Sequence, residues 1–192
     1  MDREPATTFS LEGLFKQVSA QKLPPVDTWH PDFCGDIDMR IKSDGTWYYM
    51  GTPITRARMV KLFSTVLRKD SDGKTYLVTP VEKIGIIVDD APFVAVTVDR
   101  VADAENQVLA FQTNVGDTVL AGPAHPIRVE INEKTAEPRP YIRVRGNLDA
   151  LISRTVFYEL VEMAQHHETK SGSELSIASG GAVFSLGTWC AN

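Results

Sequence analysis

The phrase "ITRARMVKLF", beginning at Ile54, returns as "ISRTVFYELV", beginning at Ile152. Each copy sets an arginine, Arg56 or Arg154, where an amphipathic helix is expected to start. A guanidinium stays charged near neutrality and offers a planar fork of donors, which suits a carboxylate or a phosphate. The free N–H groups of a first helical turn add to it, so a helix start with an arginine makes an anion site. On the structural reading the same arginines are solvated or paired with a nearby carboxylate. A cation there opposes the helix dipole by about 0.3 kcal/mol. Arg58 puts a second cation in the first turn of the first helix. Both readings stand at this point.

Three further stretches carry groups suited to binding. "TPVEK" places Thr79, Glu82 and Lys83 at a strand–strand turn. "TNVGD" offers Asn114 and Asp117 around Gly116, whose missing side chain lets backbone N–H groups approach a ligand. Asp117 suits a ribose hydroxyl or an amine, because it repels phosphate. Each stretch is also an ordinary turn composition. On "YIRVRG", Tyr141, Arg143 and Arg145 share one strand face, with Ile142 and Val144 on the other. An exposed tyrosine with two arginines on one strand face can stack a base and pair a phosphate. The same face equally describes an edge strand that keeps other strands away. The candidate ligand-binding residues are therefore Arg56, Lys83, Asn114, Asp117, Arg143 and Arg145.

Catalytic chemistry has less to stand on. The chain contains no GxSxG, HExxH, GxGxxG or P-loop pattern. Asp36, Asp38 and Asp44 lack the bidentate glutamate that completes a calcium loop, so no metal site is expected. His166, His167 and Glu168 are expected near the end of the second helix, where a positive histidine complements the dipole. His30 and His125 each precede a proline. A hydrolase would need one of them beside a carboxylate and a nucleophile in space. Cys34 and Cys190 fit no metal or CxxC spacing and are expected as reduced thiols. No cofactor follows.

These groups are held by short elements. Ser10 caps a predicted amphipathic helix over 10–18, with Leu11, Leu14, Phe15 and Val18 on one face. A proline-rich connection follows. Asp44-Gly45 signals a hairpin, because both residues can take positive φ. Helices are predicted over 55–69 and 154–167. With Thr55 and Ser153 as N-caps, Ile54 and Ile152 precede the cap, and Met59 and Phe157 fall at N4. That is the spacing of a hydrophobic staple. Met59, Phe63, Val66 and Leu67 form one apolar stripe, and Phe157, Leu160, Val161 and Ala164 the other. "TYLVTPVEKIGIIV", "FVAVTVD", "QVLAFQT", "DTVLAG", "PIRVEI" and "YIRVRG" read as strands, and "ELSIA" and "AVFSL" follow the second helix. Carrying the repeat's shift downstream sets Leu77 on Leu175 and Ile86 on Phe184, so a duplicated αβ unit is the preferred account. Strand and helix do not alternate regularly, which argues against a doubly wound nucleotide fold.

The expected fold class is α+β, mostly β, built from two related units of a helix packed on antiparallel strands. The expected division is a lead-in over 1–34, a first unit over 35–90 and a second over 91–192. Of 192 residues, 43% are apolar and 23% charged, as in globular proteins. A formal charge of −5 argues against a broad nucleic-acid surface. Apolar runs fall short of the roughly 20 residues a membrane helix needs. "MDREPATTFSLEGLF" lacks the basic start and apolar run of a secretory signal, so a cytoplasmic location is expected.

The strings "DMRIKSDGTWYYMGTPITR", "TYLVTPVEKIGIIVDDAPFVAV", "TNVGD" and "GPAHPIRV" resemble the bacterial family called domain of unknown function 1285, from about residue 24 to the end. The resemblance implies a duplicated core whose second half is a pleckstrin-homology-like roll or partial barrel. It also implies a site at the interface of the halves for a nucleotide-like anionic ligand, and a role in signal transduction. It brings no established activity. A sensor or adaptor is the leading expectation. A protein-interaction module without a small ligand, or an unrecognised hydrolase, is the alternative.

Overall fold

The computed structural model describes residues 23–101, 107–133, 135–169 and 172–189. The helix expected over 10–18 and Cys190 lie outside them.

β1 (Phe33–Ile41) and β2 (Trp47–Tyr49) form the first hairpin, with Ile41 opposite Trp47. Asp44 and Gly45 sit in its turn, but only Gly45 takes positive φ, at 82°. The Gly45 N–H donates to the Lys42 carbonyl, and Asp44 Oδ1 accepts from the Thr46 N–H. This is a longer turn closed by a glycine, not a two-residue turn with both residues left-handed. The left-handed pair stands instead at Met50 and Gly51, φ 49° and 73°, joining β2 to β3 (Thr52–Pro53).

α1 (Ala57–Thr65) begins later than expected, with Arg56 rather than Thr55 as N-cap and no side-chain cap. The reason lies upstream: the Ile54 N–H donates to the Trp47 carbonyl at 2.8 Å, so hairpin pairing runs past β3. The helix also ends early, because Leu67 opens a strand. β4 (Leu67–Lys69) pairs antiparallel with β5 (Thr75–Val78), and β5 with β6 (Lys83–Val88). β6 then returns parallel to β1, giving a first sheet of order β3-β2-β1-β6-β5-β4.

The second half opens with the meander β7 (Phe93–Val101), β8 (Val108–Thr113) and β9 (Thr118–Leu120). A second meander follows: β10 (Ile127–Ile131), β11 (Pro138–Arg145) and β12 (Leu148–Ile152). β12 lies parallel to β7, and the order is β10-β11-β12-β7-β8-β9. Each six-stranded sheet is thus two antiparallel meanders joined by one central parallel pair, where antiparallel strands alone were expected. Parallel pairing needs a crossover between distant segments, which no local alternation signals. The second sheet curls into a half-barrel.

Ser153 caps α2 (Arg154–Met163) as expected, its side-chain oxygen accepting from the Val156 N–H. The helix stops at Met163, where Ala164 turns extended. His166, His167 and Glu168 therefore belong to a strand, β13 (Gln165–Thr169), and not to the helix end. β13 pairs with β14 (Gly172–Ser179), and β14 with β15 (Ala182–Trp189).

The repeated phrase marks a correspondence of order. Meander, helix and meander run β1-β2-β3-α1-β4-β5-β6 and again β10-β11-β12-α2-β13-β14-β15. β15 runs near β10 but belongs to a separate sheet, β13-β14-β15, whereas β6 pairs with β1 in a parallel ladder. Register is not carried over, since Thr79–Glu82 joins the first strand pair and Gly180-Gly181 the second. One apolar cluster runs through both halves, from Ile41, Trp47 and Leu67 to Phe93, Phe111, Ile142 and Leu160.

Candidate functional site

Arg145 ends β11 beyond a bulge that offsets it from Arg143. Its Nη2 donates to the Ser64 carbonyl at 2.5 Å and its Nη1 to Asp117 Oδ2 at 3.0 Å. Its guanidinium carbon lies 4.9 Å from the centre of the Phe93 ring. Ser64 is in the last turn of α1, which has no basic residue there. The second half thus supplies the cation that complements the first half's helix C-terminus. Asp117 also pairs through Oδ1 with Lys61 of α1. Asn114 accepts from the Val94 N–H at 3.0 Å and donates to the Gly45 carbonyl at 3.3 Å. Three of the expected ligand-binding residues therefore lie along one seam, where they bond the halves to each other.

The other three lie elsewhere. Arg143 pairs with Asp149 at 2.6 Å and donates to the Gly146 carbonyl at 2.8 Å. Lys83 pairs with Asp70 at 2.6 Å and stands 4.1 Å over the Tyr76 ring. Arg56 is exposed at the start of α1. Tyr141, expected as an exposed stacking platform, is buried, and its hydroxyl donates to Asp90 at 2.8 Å. Burial first, and then that bond, push its phenol up to about 12. The Arg128 guanidinium covers the ring at 4.6 Å.

Where the halves meet, a cleft of about 620 Å³ opens. The first half lines it with Thr65 and the run from Leu67 to Ser71, and the second from Arg145 to Leu148. The lead-in, with Leu23, Pro24, Val26, Asp27 and His30, forms the remaining wall. Arg68 on β4 holds that wall: its Nη1 donates to the Val26 carbonyl at 2.8 Å and the Trp29 carbonyl at 2.7 Å. Its Nε pairs with Asp70 at 2.6 Å. Burial pushes the Asp70 carboxyl up, but the hydrogen bonds from Arg68 and Lys83 outweigh it and hold the group below its ordinary value. Lys69, half-buried, forms no ion pair among the described residues. Asn147 closes the far end by donating to the Lys69 carbonyl at 3.4 Å.

Residues 24–91 match the N-terminal domain, and residues 92–186 the C-terminal domain, of DUF1285, whose domains are described as being of unknown function. The chain belongs to the DUF1285 family. The crystal structure of a DUF1285 family protein from Silicibacter pomeroyi DSS-3 is 47% identical, covering 92% of this chain and 95% of that one, with a TM-score of 0.80. A DUF1285 family protein from Shewanella baltica OS155 is 28% identical, covering 65% of this chain and 90% of that one, with a TM-score of 0.50. No curated relative matches the chain.

The cleft is therefore walled by both DUF1285 domains, with Arg68 and Lys69 as cations from the first and Arg145 from the second, and with Asp27, His30, Asp70, Ser71 and Asn147 among its further polar groups. That set can hold an anion on the lysine and a hydroxyl or amine on Asp27. Among the described residues no Phe, Tyr or Trp side chain lines it, so it offers no large aromatic face for stacking beyond the His30 ring at its rim. The sequence pattern places Arg68 and Lys69 in the helix predicted over 55–69, and only the pairing of β4 with β5 turns those side chains into a wall. Among the described residues neither His30 nor His125 forms an ion pair or hydrogen bond with a carboxylate, although His30 shares the cleft with Asp27, Asp70 and Ser71. The His125 Nδ1 lies 3.0 Å from the Arg143 carbonyl, and His30 is exposed at the cleft rim. Among the described residues no group of three or more metal-binding side chains forms. No described helix is long and apolar enough to cross a membrane.

Proposed function

We propose that the chain is a sensor or adaptor that binds a small anionic molecule in the cleft between its DUF1285 domains. The ligand is nucleotide-like in its phosphate rather than in a stacked base. The observation that carries this reading is the cleft itself: about 620 Å³, shared by both domains, with Lys69, which forms no ion pair among the described residues, in its wall. Small-molecule sites typically enclose about 300–1,000 Å³ and carry a few placed polar groups. A ligand touching both walls biases a partner interaction only if it binds two arrangements of the domains unequally.

Thermal unfolding against nucleotides, dinucleotides and inorganic phosphate tests this. A ligand at one hundred times its dissociation constant adds about 2.7 kcal/mol of stability. The expected result is a selective rise in Tm that Lys69→Ala weakens at least ten-fold in ligand concentration. Arg56→Ala and Arg143→Ala, outside the cleft, leave it unchanged. No shift with any compound, or a shift indifferent to Lys69→Ala, overturns the reading.

The alternative, a partner-binding surface on the second half, has its own observation. Ile131 on β10 and Val183 on β15 lie on neighbouring strands and are 58% and 70% exposed. Loss of partner binding on Val183→Asp, with the melt unchanged, is the result this reading requires.

A further inference from the structure

Arg154 and Tyr158 stand one turn apart at the start of α2, and the Arg154 Nε donates to the Tyr158 hydroxyl at 3.0 Å. Both residues are exposed. The bond holds the guanidinium beside the ring and leaves its two Nη groups, which form no ion pair among the described residues. Because the tyrosine oxygen accepts from the arginine, its own O–H is left to donate elsewhere. A guanidinium fork next to a hydroxyl donor suits one carboxylate, which accepts at both oxygens.

These donors border a pocket of about 400 Å³ on the second half, a size within the range of roughly 300–1,000 Å³ usual for small-molecule sites. Its wall is apolar: Leu151 of β12 and Phe157 of α2 are half-buried, and Pro138 of β11 is exposed. The remaining charges restrict what it accepts. Arg139 is already paired with Asp90 at 2.6 Å. The Glu137 carboxylate lines the pocket without pairing with Arg154, and it repels a second acid group. The free N–H groups of the helix are not what makes the site, since the Ser153 side chain already takes the Val156 N–H. The repeated phrase supplies a comparison within the molecule. Its first copy keeps the arginine as Arg56, but Val60 stands where the second copy has Tyr158.

We infer that this pocket binds a small monocarboxylic acid with an apolar body. The carboxylate sits on Arg154 and Tyr158, and the body lies against Phe157, Leu151 and Pro138. The site is separate from the interdomain cleft and does not depend on it.

Benzoate and hexanoate, titrated into the full chain and followed by amide NMR shifts, test this. The expected result is a saturable shift of amides in 151–158 and at Glu137 and Arg139. Arg154→Gln is expected to weaken binding about ten-fold or more, and Tyr158→Phe about five-fold, the usual worth of hydrogen bonds to a charged group. Both positions are exposed, so the variants keep the fold. Arg56→Gln and Lys69→Ala leave the shifts unchanged, and benzamide, similar in shape but uncharged, produces none. No shift of these amides with either acid overturns the inference. So does unchanged affinity in Arg154→Gln, which makes the arginine and tyrosine a surface pair of the helix and nothing more. Equal binding of benzamide overturns it too, since the pocket then selects an apolar body and not a carboxylate.

Discussion

Asp117 keeps a carboxylate where only 4% of the residue is exposed, and each oxygen meets a cation of its own: Lys61 on one, Arg145 on the other. Removing one member of a buried charge set leaves the others uncompensated, at a cost of about 3–5 kcal/mol under full burial. The Lys61 side chain is 37% exposed, so its share is screened. Asp117→Ala is therefore expected to destabilise by about 3 kcal/mol in urea unfolding. Arg143→Ala, which removes a pair one-third exposed on the arginine side, is expected to lose less than about 1 kcal/mol. Equal losses would show that the seam contributes no more than a surface pair. The residue types of this site were legible in the sequence. "TNVGD" and "YIRVRG" stood out as polar groups with a purpose, but their purpose depends on partners far away. Lys61 and Asp117 are 56 positions apart, and Arg145 and Ser64 are 81. No local pattern announces such a pair, so groups that hold the halves together read equally well as ligand contacts.

The two helix starts differ in a way that the repeated phrase conceals. Ser153 caps α2 with its own side chain, whereas Arg56 stands at the α1 N-cap with no side-chain bond and no acidic residue in the turn. Ser153→Ala is expected to destabilise by about 1 kcal/mol, the usual loss of an N-cap. Arg56→Asp goes the other way, because it supplies both an acceptor for the free N–H groups and a charge of the right sign. A gain of about 1 kcal/mol in urea unfolding is expected. A loss on Arg56→Asp would mean that the arginine has a partner worth more than the cap. Element order was largely legible, since turn residues and apolar periodicity are local. The hairpins, the second cap and the strand runs after Asp89 follow from them. Helix lengths were less so: strands β4 and β13 claim residues whose periodicity extends the helix, because pairing with β5 and β14 outweighs weak helix propensity. β12 and both parallel pairs depend on a sheet assembled from distant segments.

At the scale of the molecule, the duplication suggests two bodies, while the packing makes one. Leu67, Trp47 and Ile41 of the first half belong to the same apolar cluster as Phe93, Phe111 and Ile142 of the second. Arg145 of the second half closes the C-terminus of the first half's helix, and Asn114 holds its hairpin turn through Gly45. A first half unfolding alone would expose its share of that cluster and strand the Asp117 and Arg145 charges in the second. The two halves are therefore expected to unfold as one cooperative unit. Native-state hydrogen exchange across a urea series separates the cases. Amides of β6 and of β12 lie on opposite sides of the seam, and each sits in the central parallel pair of its sheet. If the halves are one unit, both sets report the same opening free energy and the same dependence on urea, because both wait for global unfolding. If the β6 amides open at lower free energy with a shallower slope, the first half is a separate unit. The seam then acts as a hinge that a ligand in the cleft closes, and the melt shift expected for ligand binding comes mainly from that half.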